Sequence, residues 1–189
     1  MSTSTTAPAA QRASATAPPT RALVVWPLLR IALGLVFLWT FLDKAFGLGY
    51  STGRAEDGSV DVLGPQAWFA GGSPTSGFLA GAPSGPLAGV FNAMSGSPLV
   101  DAAFMLGMLC VGVALVAGVA LRLATVGGVA LMLLIRATMP VPESNPVVDE
   151  HLVYALLLVG LLTLPAARRF SLHRTWSRLP VVRSTPALH

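Results

Sequence analysis

The stretch Asn145-Pro146-Val147-Val148-Asp149-Glu150-His151, followed at once by the apolar run 152–164, decides the fold. An Asn-Pro turn, three ionisable residues and then a mostly apolar segment read as the entrance to a membrane-spanning helix. Asp149 and Glu150 fall in the first turn, where the positive end of the helix dipole favours a carboxylate. Three other segments bring charge to the matching ends of their own apolar runs: Asp43 and Lys44, Asp101, and Arg136. If the four helices bundle, these side chains meet near one membrane surface.

Composition agrees with that entrance. A soluble domain usually carries about 25% charged residues; this 189-residue chain carries 11%, against 53% hydrophobic, and its mean hydropathy is +0.69. The apolar residues lie in long runs, which makes an integral membrane protein the reading, with the lipid bilayer as its first partner. The net charge of +4 does not point to nucleic acid. Seven of the twelve basic residues (Arg12, Arg21, Arg168, Arg169, Arg174, Arg178 and Arg183) lie at the two ends of the chain, and no zinc spacing or RNA-binding signature accompanies them. Cys110 is the single cysteine, inside an apolar run, so neither a disulfide framework nor a dithiol relay is available. Lys44 is the one lysine beside eleven arginines, a bias of the kind a GC-rich bacterial genome produces.

The reading is all-α: an integral membrane four-helix bundle with a long outer loop carrying short interfacial helices. Residues 1–20, rich in Ser, Thr, Ala and Pro, read as a disordered cytoplasmic tail. Residues 21–167 form the membrane domain, with spans at about 23–47, 99–121, 123–138 and 149–165. In the first span Pro27 is placed among the opening turns. Arg30, Gly34, Phe37, Phe41 and Lys44 form one stripe along it. That face points into the bundle; the alternative is two snorkelling cations. In the second span, Ala103-xxx-Gly107 and Ala114-xxx-Gly118 permit close helix approach. Arg122 marks a tight turn before the third span. The loop 48–97 is rich in Gly, Pro and Ser, and apolar pieces at 66–70, 78–79 and 86–94 interrupt it. On the last span, Glu150, Tyr154, Leu157 and Leu161 share a face. Residues 168–189 form a basic tail expected along the inner leaflet. Basic residues fill the tails and the Arg122 turn, while acidic residues dominate the other two connections. The positive-inside rule therefore puts both termini in the cytoplasm of a bacterial cell membrane.

Charged groups at one depth in a small bundle are costly unless paired. One reading is structural: Lys44 and Arg136 neutralise Asp101 and Glu150 and lock helix register. The other is a polar pocket opening outward beneath the loop. There Lys44 and Arg136 hold an anion or a quinone carbonyl, and Asp101, Glu150 and His151 handle protons. No metal-ligand cluster, dinucleotide fingerprint or paired thiol is evident in the sequence, so no metal or covalently bound cofactor is expected.

The motif Arg30-x3-Gly34-x2-Phe37 ending in Lys44 resembles the DoxX/DoxD family of bacterial and archaeal membrane proteins. So do Asp101 opening a Gly-rich second span, Gly118-x3-Arg122, and Asn145-Pro146-x2-Asp149-Glu150-His151. The resemblance covers roughly 22–165, and the long loop with Trp68-Phe69 and Ser73-Pro74 is similar to the DoxD branch. Many members carry Glu where this chain has Asp101. The resemblance implies four helices and the membrane subunit of a thiosulfate:quinone oxidoreductase, oxidising thiosulfate to tetrathionate while reducing quinone. Charge sets a condition on that activity. Asp43, Lys44, Asp101, Arg136, Asp149 and Glu150 make a net acidic mouth, which repels a dianion unless carboxylates are protonated or turned away. With no metal-ligand cluster, dinucleotide fingerprint or paired thiol in the sequence to carry electrons, direct transfer to a bound quinone, or a second redox subunit or soluble redox partner, is also required. Two other functions compete: a non-enzymatic membrane anchor for a redox or oxidative-stress complex, and a small-solute or proton pathway.

Overall fold

A computed structural model of the chain describes residues 22–141, 145, 147–185 and 188. The tail expected at 1–20 lies outside these residues. Four longer helices carry the fold: α1 (Ala22–Phe46), α4 (Pro98–Ala117), α5 (Leu121–Thr138) and α6 (Glu150–Thr163). Between α1 and α4 lie a 3₁₀ turn at Trp68–Ala70 and two short helices, α2 (Ser76–Gly81) and α3 (Ala88–Ala93). After α6 come a 3₁₀ turn at Pro165–Arg168, α7 (His173–Trp176) and α8 (Pro180–Ser184). The chain is an all-α protein of the multi-pass membrane kind, and α1, α4 and α5 are long and apolar enough to cross a bilayer. The 14 residues of α6 rise only about 21 Å, short of a hydrocarbon core of about 30 Å.

Glycines set the helix packing. In lipid, association of apolar helices removes no surface from water, so close packing has to hold the helices together. Gly34 on α1 lies against Leu115 and Val116 of α4, and Gly112 of α4 lies against the backbone of Leu38. Moving up α1 thus moves down α4: the pair is antiparallel. Gly107 meets Leu131, and Gly128 meets both Val111 and Leu158. These contacts seat α5 antiparallel to α4, with α6 meeting both at Gly128. The Arg30–Gly34–Phe37–Phe41 stripe of α1 is buried, and Met105, Met108, Leu115, Met132 and Leu158 complete the core around it.

Local chemistry differs from the sequence expectation in two places. Pro27 lies inside α1 rather than in its amide-free first turn. The tight turn between α4 and α5 is made by Gly118 and Ala120, both at positive φ, and Arg122 belongs to the first turn of α5. On α6 the buried side chains are Ala155, Leu158 and Leu161, and Tyr154 and Leu157, which share a face with Leu161, pack partly buried against the core.

Candidate functional site: an apolar cavity with one lysine

Antiparallel packing brings the end of α1, the start of α4, the end of α5 and the start of α6 to one end of the molecule. There a cavity of about 490 Å³ opens between α4 and α5 beneath α2 and α3. That size falls within the roughly 300–1,000 Å³ of small-molecule sites. Its walls include Phe78, Phe91, Phe104, Leu131 and Ile135, and its single charged lining residue is Lys44. Lys44 forms no ion pair among the described residues. Leu99 and Leu134 also line it, and they are 79% and 57% exposed. The cavity is therefore open on the flank of the helices, where the surrounding surface is apolar.

Its cover is tethered at three points. Thr75, which precedes α2, donates to Asp101 Oδ1 through its hydroxyl (2.6 Å) and its backbone N–H (3.1 Å). Ser95 Oγ donates to the Ser76 carbonyl, closing α3 onto α2. The Ser84 N–H donates to the Thr138 carbonyl at the end of α5. Asp101, only 4% exposed, is thus the post to which the cover is tied.

The ionisable residues singled out in the sequence separate into distinct groups. Lys44 lines the cavity. Asp43 accepts from the Tyr50 and Ser51 N–H groups and the Ser51 hydroxyl, which fixes the turn after α1. Arg136 is not a cavity residue. Its Nη1 donates to the Met139 carbonyl at 2.6 Å, and its Nε lies 3.6 Å from Asp149 Oδ1. The expected pairing of Lys44 and Arg136 with Asp101 and Glu150 is absent among the described residues: Arg136 meets Asp149, and Asp101 meets Thr75. The reason is helical phase. Leu131, Leu134, Ile135 and Thr138 face the cavity, which turns Arg136 toward α6.

The heptapeptide that opened the sequence reading organises the start of α6. Asn145 Oδ1 accepts from the N–H groups of Val147 and Val148, making an Asx turn. Asp149 is the N-cap, accepting from the Leu152 N–H at 3.1 Å. Its other oxygen lies 3.0 Å from His151 Nδ1. Glu150 lies at the exposed edge of this network, its side chain 62% exposed and its Oε1 4.0 Å from His151 Nδ1. Asp149, Glu150 and His151 could bring one ligand atom each within 4.8 Å of the others. The Arg136 guanidinium already neutralises the carboxylate on which a cation would depend, so the group reads as an ion-paired clasp between α5 and α6.

Sequence reasoning missed Thr75 and the apolar cavity wall. The Ser73-Pro74-Thr75-Ser76 run just before α2 was a usable signal, because hydroxyls before a helix seek polar partners. Nothing local, however, ties Thr75 to Asp101 across 26 positions. Comparison of the chain with protein-family models, with curated proteins and with solved structures finds no match.

Proposed function

We propose that this chain is a bacterial membrane subunit of the DoxX/DoxD type, a four-helix bundle with both termini cytoplasmic, whose cavity takes the ring of a quinone arriving from the bilayer. The observation that carries the reading is one ammonium, Lys44, in an otherwise apolar cavity flanked by the exposed Leu99 and Leu134. Such a slot suits a lipid-soluble molecule with a polar end: apolar walls receive ring and tail, and the ammonium donates a charge-assisted hydrogen bond to a carbonyl oxygen. A quinone bound there would supply the electron-accepting chemistry. His151, oriented through Nδ1 by Asp149, keeps Nε2 for proton exchange on the outer side. Asp101 and Arg136 are positioning residues in this account, one for the cover and one for Asp149. Glu150 is outside the site. The donor in this proposal is a small sulfur anion such as thiosulfate, delivered by a second redox subunit; the order of the short motifs along the chain supports that part.

The test is thiosulfate-dependent reduction of a soluble quinone analogue by the protein in lipid, with candidate redox partners added. Turnover should fall about tenfold or more in Lys44→Met, the size expected for losing a charged hydrogen bond, and persist in Glu150→Gln. Full turnover in Lys44→Met removes the site assignment. No turnover with any partner removes the oxidoreductase reading.

A second reading, a non-enzymatic scaffold, is favoured by the outer segment. Its exposed Tyr50, Val62, Phe69 and Val90 offer apolar surface to another protein. Quinone binding that is absent in the full-length protein, together with a stable complex through residues 47–97, would select it.

A further inference from the structure

The end of the molecule opposite the cavity carries a second surface. There α1 buries Arg30 completely, at 0% exposure. Its Nη2 donates to the Phe170 carbonyl at 2.9 Å, and the Leu172 N–H donates to the Ala117 carbonyl at the end of α4. The segment after α6 is therefore fastened across the ends of α1 and α4 from residue 167, which is fully buried, to residue 172.

Two features of the fastened segment go beyond fastening. Phe170 sits at φ +52, a left-handed conformation unfavourable for a bulky side chain. The Arg30 bond to its carbonyl holds it there, with the ring 61% exposed. Leu172, Leu179 and Val181 are exposed as well. Interleaved with them, Arg168, Arg169, Arg174, Arg178 and Arg183 are all exposed, and no acidic residue follows Glu150 in the chain. Apolar side chains presented among uncompensated arginines, at the ends of membrane helices, match one kind of surface: acyl chains beneath anionic headgroups.

We propose that residues 165–184 form an anionic-lipid platform, with Phe170 and Leu172 inserted among the acyl chains and the arginines on phosphodiester headgroups. The placement by Arg30 makes it a preformed part of the fold rather than a loose basic tail. A soluble acidic protein is the rival occupant, but it would leave the outward phenyl ring and the helix-end location without a role.

The test uses the full-length protein in phosphatidylcholine bilayers containing phosphatidylglycerol. A fluorophore is attached through Thr175→Cys in a Cys110→Ala background, and one lipid or the other is brominated. Brominated phosphatidylglycerol should quench roughly threefold or more better than brominated phosphatidylcholine at low salt, with the preference fading at high salt. Replacing Arg168, Arg169, Arg174 and Arg178 by Gln should equalise the two lipids, and Phe170→Ser should weaken quenching by both. Equal quenching by the two lipids in the unsubstituted segment overturns the proposal, and so does absence of quenching, which would place the segment off the bilayer and favour a soluble partner. Spin-labelled forms of the two lipids, bound to the unmodified protein, repeat the comparison if a variant does not fold.

Discussion

Asp101 is a buried carboxylate with a structural partner of its own. Its Oδ1 takes two hydrogen bonds from Thr75, so its first role is to hold the cover of the cavity. Asp101→Ala leaves the Thr75 hydroxyl without its partner and should destabilise the fold by roughly 1–3 kcal/mol. Asp101→Asn keeps an acceptor at that place and should retain most stability, measured by thermal unfolding in lipid. The pair also separates roles: a proton carrier loses turnover in Asp101→Asn, whereas a positioning residue keeps it. The same logic applies to the acidic heptapeptide. Asn145 and Asp149 were legible as a turn and a helix start because their partners lie within three residues. Which cation meets Asp149 was not legible, since that depends on the phase of α5 against α6.

At the scale of elements, glycine positions decide how closely the helices approach. A Cβ on Gly112 would lie 2.8 Å from the Leu38 nitrogen, a backbone atom that cannot swing aside, whereas a Cβ on Gly160 meets nothing within 4 Å. Gly112→Ala should therefore cost about 1–3 kcal/mol by forcing α1 and α4 apart. Gly160→Ala should be neutral or stabilise by up to ~1 kcal/mol through helix propensity; unfolding of both variants in one detergent checks the contrast. Equal effects would mean that the α1–α4 contact is not what holds the helices together. The apolar runs of α1, α4 and α5 are legible from length and hydropathy alone. Which glycine meets a backbone is not: the spacing pointed to Gly107 and Gly118, while the closest crossing uses Gly34 and Gly112. Small-residue spacing marks helices able to approach, and register chooses the positions that do.

For the whole molecule, the distribution of apolar surface requires a bilayer. Cys110 is exposed near the middle of α4, so in native membranes it should resist a membrane-impermeant maleimide and react after denaturation. Ready labelling of the native protein would place α4 in water and end the membrane reading. The same distribution gives the cavity its meaning: one end of the bundle gathers Lys44, the Thr75–Asp101 tether and an apolar opening beside Leu99 and Leu134. Equilibrium binding of a quinone analogue to the full-length protein in lipid nanodiscs tests that meaning directly. The account predicts saturable binding that weakens about tenfold or more in Lys44→Met while the fold is retained. Binding of undiminished strength in the variant, or none in the unsubstituted protein, would contradict it.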